Sequence, residues 1–270
     1  MTLPTWTPTA DNPSVFARLS GDYNPVHLDE EHARGAGFAT VIIHGMNVLG
    51  AAARAAHVAA PAASALRTID IRFANPVLPG ETLSFDATGK ETAAGLKVGV
   101  AVAHSDGRGV MKPANFVFGP AAVAVERPAD EAWAPDAEDV PGDVYSFTAQ
   151  DLEDYDGITR PSAVAGDEAV PPMMVVLGMT GALEKAFKSM EPPGRKGTWV
   201  HLRQKGAFFE AIELGRDYTC RIQSGSTKLR ESKLGAMVTI PFVIETAQDT
   251  PRLVATGSCG LLYAFDQEAE

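Results

Sequence analysis

The chain has 270 residues, and its 34 acidic against 23 basic side chains leave a net charge of −11, which argues against a nucleic-acid or anionic-membrane partner. A hydrophobic content of 45% is enough for a real core, and the length allows one large domain or two of roughly 130 residues. Cys220 and Cys259 fit neither metal spacing nor a disulfide framework, and no signal-like or membrane-length apolar run is present, so a soluble protein of a reducing cytoplasm is expected.

Residues 1 to 19 open polar and run into a helix, with Asp11 or Asn12 as N-cap and Pro13 in its first turn. Pro25 disfavours a helical Asn24, so this helix should end near Asp22 and the chain double back toward His27. Asp22 and His27 can then converge although they share no helical face. Asp29 suits the N-cap of a short helix, with Glu30 and Glu31 in its first turn and Gly35 at its end. The apolar run Val41 to Ile43 leads into His44-Gly45-Met46, from which an alanine-rich helix should run from Gly45 toward Ala59, with Pro61 marking its end. Its first backbone N–H groups lack intrahelical partners and sit at the positive dipole end. One stretch thus holds a carboxylate, an imidazole and an oxyanion-type donor.

Strand-like segments follow at Ala65 to Phe73, Thr82 to Glu91, Lys97 to His104 and Val110 to Phe118, with turn signals at Pro79-Gly80, Ala94-Gly95 and Asp106-Gly107. One helix and four strands spell α+β with an antiparallel sheet. Residues 120 to 142, rich in Pro, Ala and acids, have linker composition. Tyr145 opens a second cycle. Ser146 to Tyr155 reads as a polar helix, with Thr148 as N-cap and Asp151 where a capping box needs it. An apolar helix is expected within Val170 to Lys188. Strands are expected at Thr198 to Gln204, Tyr218 to Ser226, Leu234 to Thr246 and Leu253 to Phe265.

The two cycles form a diverged internal repeat. Val48-Leu49-Gly50 resembles Val176-Leu177-Gly178, and Phe73, Val77 and Gly80 match Phe208, Ile212 and Gly215 at identical spacing. What diverges is the acid–base part. Where the first half has Asp22 and His27, the second has Asp156-Gly157-Ile158-Thr159-Arg160-Pro161, and Pro172-Met173-Met174 replaces His44-Gly45-Met46.

Taken singly, these residues have plainer readings. Asp22 suits a turn or a cap, His27 a surface loop, and His44 a polar position near a helix start. His32 and His57 read as solvated helix residues, and His201 as a solvated or satisfied strand residue. The joint spacing changes the reading for Asp22, His27 and Gly45 alone.

The run S-G-D-x-N-P-x-H-x-D, followed by G-F and H-G-M, resembles the MaoC-like family of hot-dog hydratases and dehydratases, which includes the (R)-specific 2-enoyl-CoA hydratases. The matching residues are Asp22, Asn24, Pro25, His27, Gly37, Phe38, His44, Gly45 and Met46. With the repeat, the resemblance implies an α+β double hot-dog, each half a long helix wrapped by an antiparallel sheet. Residues 1–120 would be the active half, 121–142 a linker, and 143–270 a non-catalytic half making room for acyl chain or CoA. In fused eukaryotic members the motif lies in the second half; here it lies in the first.

The substrate implied is an acyl thioester on CoA or an acyl carrier, with Asp22, His27 and Gly45 catalytic and Asn24, Phe38, His44 and Met46 against the substrate. No metal or redox cofactor is implied, since paired-His, CxxC and glycine-rich phosphate motifs are absent. Arg54, Arg72, Lys97 and Lys112 are cations available for CoA phosphates, each read first as a solvated surface residue. Pairing into a homodimer of double hot-dogs is compatible with this organisation. Two alternatives stand beside the hydratase. A hot-dog thioesterase would place its acid on the central helix, and Gly45 to Ala59 has no Asp or Glu. A non-catalytic acyl-CoA-binding protein would not need Asp22, His27 and Gly45 together.

Overall fold

The computed structural model describes residues 2–62, 64–120, 135–136, 138–162, 170–190, 197–232 and 235–265. The first cycle consists of β1 (Thr2–Trp6), α1 (Asn12–Ser20), a 3-10 turn (Pro25–His27), α2 (Glu30–Gly35), α3 (Gly45–Val58), β2 (Ser64–Phe73), β3 (Leu83–Thr92), β4 (Gly95–His104) and β5 (Gly109–Pro120). The second consists of β6 (Val140–Tyr145), α4 (Ala149–Thr159), a 3-10 stretch (Pro172–Gly178), α5 (Met179–Met190), β7 (Gly197–Phe208), β8 (Tyr218–Ile222), a 3-10 turn (Ser224–Ser226), β9 (Lys228–Ser232), β10 (Gly235–Thr246) and β11 (Leu253–Phe265).

The strands form one antiparallel sheet in the order β1-β3-β4-β5-β2-β7-β11-β10-β8-β6, with β9 also on β10. Read outward from its centre, the order is the same in both halves: β2-β5-β4-β3-β1 on one side and β7-β11-β10-β8-β6 on the other. The halves join where β2 pairs with β7, from Thr68 opposite Ala207 to Arg72 opposite Arg203. Arg203 grips both oxygens of Asp70 across this seam at 2.9–3.0 Å. Both residues are more than a third exposed, so the pair sets register more than it adds stability.

The repeat read from sequence has a structural counterpart. Val77 and Ile212 are both buried. Gly80 and Gly215 both take positive φ, 85° and 73°, and donate their N–H groups to Pro8 and Phe147, just past the edge strands β1 and β6. Inside the sheet, α3 buries Ala51, Ala52, Ala55 and Ala56 completely, so the strands can close tightly on its backbone. Asn12 of α1 and Asn47 of α3 both donate to the Ile158 carbonyl near the end of α4, tying the two halves together inside the core. The Thr148–Asp151 capping box is present at the start of α4.

Several elements differ from the sequence reading, each for a physical reason. The edge strands β1 and β6 are extra: both are short and proline-containing, so neither carries an alternating pattern. β6 begins at Val140, inside the stretch read as linker; most of that stretch lies outside the described residues. The second apolar helix is split into a 3-10 stretch and α5, and Tyr145 Oη donates to the Val175 carbonyl at 2.7 Å within the 3-10 part. The expected strand Tyr218 to Ser226 ends at Ile222. Opposite the break stands Pro241 of β10, whose carbonyl accepts from Gln223 at 3.0 Å but which has no N–H to return.

Candidate active site

The site forms where α1 hands over to the 3-10 turn. Gly21 ends α1 in the left-handed conformation (φ 74°), its N–H on the Ala17 carbonyl at 2.8 Å. The next residues are held by short-range bonds: Asp22 N–H donates to Ser20 Oγ, Asn24 N–H to Asp22 Oδ1, and Val26 N–H to Asn24 Oδ1. Asn24 therefore caps the turn that carries His27, and its Nδ2 reaches across to the Trp199 carbonyl of the second half at 3.5 Å. His27 Nδ1 lies 2.8 Å from the Ile42 carbonyl. A carbonyl only accepts, so Nδ1 carries the proton and Nε2 keeps its lone pair.

His44 lies beneath this arrangement, 1% exposed, with its ring stacked on His27 at 3.7 Å and 26°. Its Nε2–H donates to the Asp22 carbonyl at 3.0 Å. His44 thus props both the acid and the imidazole. Its own carbonyl receives Asn47 and Val48 N–H groups, which starts α3. Gly45, the first residue of α3, faces the same cavity. A Cβ there would lie 3.1 Å from the Phe73 ring, so glycine lets that ring close over the helix start.

Two cavities meet at Asp22 and His27. The first, about 170 Å³, is lined by Phe38, His44, Gly45, Phe73 and Pro76 among others. The second, about 410 Å³, extends into the other half along Val176, Leu177, Met179, Leu183, Phe187 and Leu261. Asp22, His27, Met46, Trp199 and His201 line both. Burial lowers the pKa of His27 below its ordinary value, with Asp22 opposing that shift, so the ring is neutral at pH 7 and able to accept a proton. Burial, and then His27 beside it, pushes His44 down to about 3.

The structure brings Asp22, His27, Gly45, His44, Met46 and Phe38 to one cavity wall, while Asn24 lies at the second cavity and holds the loop. Two residues of β7 belong to the site without a sequence signal. Between Gly260 and Leu261 the β7–β11 register shifts, leaving Leu202 as an extra residue. Such a bulge re-aims side chains, and Trp199 and His201 both face the cavities. His201 Nε2–H donates to the Arg203 carbonyl at 2.9 Å, its ring meets Phe73 edge-on, and burial lowers its pKa to about 4. The reading of His201 as satisfied holds for that nitrogen; its place at the site was missed.

Among the four cations proposed for CoA phosphates, Arg54 is not a solvated surface residue. It is 5% exposed, its Nη1 lies 2.9 Å from Asp156 Oδ1, and its Nε donates to Thr159. Arg72, Lys97 and Lys112 are exposed. Asp22, His27 and His44 place their ligand-type atoms within 4.8 Å of one another. They do not fit a metal centre. His27 Nδ1 and His44 Nε2 are spent on carbonyls, and the lone pairs left lie in nearly parallel ring planes and cannot converge on one ion at about 2.0–2.1 Å.

A helix wrapped by an antiparallel sheet, twice in one chain and joined edge to edge, is a double hot-dog, and residues 3–106 match the family described as MaoC like domain. Over that stretch this chain is therefore similar to MaoC-like domains. Over 77 residues it is 46% identical to the peroxisomal enoyl-CoA hydratase 2 of Arabidopsis thaliana, covering 28% of this chain and 25% of that one. Over 80 residues it is 44% identical to 3-hydroxyacyl-thioester dehydratase Y of Mycobacterium tuberculosis, covering 28% of each. The matches span between 10% and 28% of the length of these and the other leading curated relatives. In structure the whole chain resembles a Mycobacterium tuberculosis protein described as having a double hot-dog fold. The TM-score is 0.69 at 13% identity, over 96% of this chain and 94% of the other. Among the described residues no helix is long and apolar enough to cross a membrane.

Proposed function

We propose that the chain is an (R)-specific hydratase/dehydratase that interconverts a 2-enoyl thioester and its 3-hydroxyacyl thioester. The observation that carries this reading is the pairing of Asp22 with a neutral His27, whose free Nε2 shares a cavity wall with Gly45 at the start of α3. The names of the relatives, an enoyl-CoA hydratase and a 3-hydroxyacyl-thioester dehydratase, support the reaction class.

Adding water to the conjugated double bond requires a base as oxygen attacks Cβ, an acid to protonate Cα, and a donor for the charge that develops on the thioester oxygen. Asp22 and His27 would hold one water between them. His27 Nε2 takes its proton as the C–O bond forms, and the pair returns a proton to Cα on the same face. Each positioned proton transfer contributes about 10² to 10⁴ in rate. The backbone N–H of Gly45, with no intrahelical partner to satisfy, is the donor for the thioester oxygen, an effect of roughly 10² to 10³. The same groups run the dehydration, so metabolite levels set the direction.

In this reading residues 1–120 supply the chemistry and residues 143–270 supply the wall of the larger cavity. The exposed Arg72, Lys97 and Lys112 are the candidate partners for a thioester carrier's phosphates. Loss of enoyl-thioester absorbance with a short and a long 2-enoyl-CoA tests the reaction, and chiral analysis of the product tests the (R) assignment. Failure to turn over either substrate would overturn the proposal, and an (S) product would overturn its stereochemistry.

A further inference from the structure

Asp22 and His27 share their cavity wall with an imidazole from the other half of the chain. His201 of β7 lines both cavities, as Asp22 and His27 do. Its ring is held from two sides: Nε2 lies 2.9 Å from the Arg203 carbonyl, and the ring stands edge-on to Phe73 at 5.1 Å and 60°. A carbonyl only accepts, so the proton is on Nε2 and Nδ1 presents a lone pair. That lone pair takes no hydrogen bond from any described residue, and Nδ1 is not among the polar atoms that are both buried and unpartnered. It therefore opens on the cavity, as His27 Nε2 does. The Gln204 amide beside the ring does not occupy it: its Nε2 donates to the Lys205 carbonyl at 3.0 Å, and its Oε1 faces Cys259 Sγ at 3.2 Å.

Burial keeps this ring neutral at pH 7, so Nδ1 is an acceptor and stays one. The hydration reaction has a hydrogen that suits it. Water brings two protons to the site, and His27 takes one of them. The other never leaves oxygen and becomes the hydroxyl hydrogen of the product. Asp22 changes partners during the reaction, because with His27 it must also return a proton to Cα. A lone pair that remains unprotonated throughout can hold the retained hydrogen from start to finish, and so aim the oxygen at Cβ.

We propose that His201 Nδ1 accepts the hydrogen that stays on the reacting oxygen, making His201 a catalytic residue supplied by the second half. This rests on the hydratase reading for which oxygen reacts. In the dehydration direction the same lone pair holds the 3-hydroxyl of the substrate. The second half then does more than make room, because the reacting oxygen is gripped from both halves of the chain.

The test compares His201→Phe, which keeps a ring without an acceptor, with His201→Asn, which keeps an acceptor oxygen near the Nδ1 position. Both lose the bond to the Arg203 carbonyl, so they differ in the acceptor. One hydrogen bond of this kind is worth about tenfold. His201→Phe should lower kcat/KM for a 2-enoyl-CoA about tenfold, and His201→Asn should stay within about threefold of wild type. Urea midpoints confirm folding, and His201→Leu replaces the Phe variant if that one does not fold. Binding gives a second readout in the slowed Asp22→Asn background. There the preference for an (R)-3-hydroxyacyl-CoA over the saturated acyl-CoA of the same length should fall about tenfold with His201→Phe and persist with His201→Asn. A fall of less than about threefold in the Phe variant, or an Asn variant as impaired as Phe, overturns the proposal. If no thioester is turned over, the hydratase reading fails, and the same binding preference, measured without the Asp22 substitution, decides the inference.

Discussion

Each half of the chain carries an acid on or just after its first helix, and the two acids have opposite fates. Asp22 faces a cavity beside a neutral imidazole, with only the Asn24 N–H on its Oδ1 among the described hydrogen bonds. Asp156 is buried against two guanidinium groups, Arg54 of the first half's central helix and Arg160 one turn along its own. A carboxylate's chemistry is set by what it faces. One is left open to the cavity, and the other is neutralised and serves as internal bracing between halves.

The most severe way to break this asymmetry is at the open acid. Asp22→Asn and His27→Ala should each lower hydration by at least about two orders of magnitude, the low end of what a positioned acid or base contributes. Absorbance assays on folded protein check this, and either variant keeping near wild-type turnover removes the assignment. Next comes the closed acid. Arg54→Met removes one partner of a buried ion pair and should cost about 3 kcal/mol in urea unfolding, whereas Arg54→Met with Asp156→Leu should recover much of that loss. Turnover of the folded single variant should stay within about twofold, since mutations act on catalysis through the groups that touch the reaction. A large fall in rate with no loss of stability would mean that Arg54 belongs to the chemistry instead.

A smaller effect is expected at the helix start. Gly45→Ala puts a methyl 3.1 Å from Phe73, and overpacking of this kind costs on the order of 1–3 kcal/mol of stability, to be read as a lowered urea midpoint. Phe73→Leu in the same chain should restore part of it; no recovery would argue against the ring as the obstacle.

The gentlest probe is pH. His44 and His201 ordinarily titrate near 6.5 and are lowered by burial to about 3 and about 4. As pH falls through 6.5 the unfolded chain takes up protons before the folded one. The stability these neutral rings allow is thus whole above 6.5 and lost as pH drops toward 4 and then 3. Urea midpoints across that window should fall, and less steeply in His201→Gln. A midpoint independent of pH between 6.5 and 4 would count against buried neutral rings.

How much of this was legible in sequence follows from the range of each interaction. The capping box of α4, the Asp29 cap of α2, the ends of β11 and the clustering of the motif residues rest on bonds or spacings within a few residues. Arg54 looked like a free cation because Asp156 and Thr159 lie a whole domain away. His201 and Trp199 looked ordinary because the bulge at Leu202 that re-aims them is a property of pairing with β11. The break after β8 is caused by a proline two strands later in sequence, which no local pattern reports.

The β2–β7 seam has a consequence for synthesis of the chain. While the polypeptide is being made, β2 must wait for β7 with one edge bare, on the order of ten seconds at about 5–20 residues per second. Bare edges invite pairing with neighbouring chains. Along the waiting strand stand Arg67, Asp70 and Arg72, charges that make a poor template for a foreign strand. Asp70 later becomes the grip for Arg203. The same carboxylate thus helps keep nascent chains apart before it helps lock the finished one.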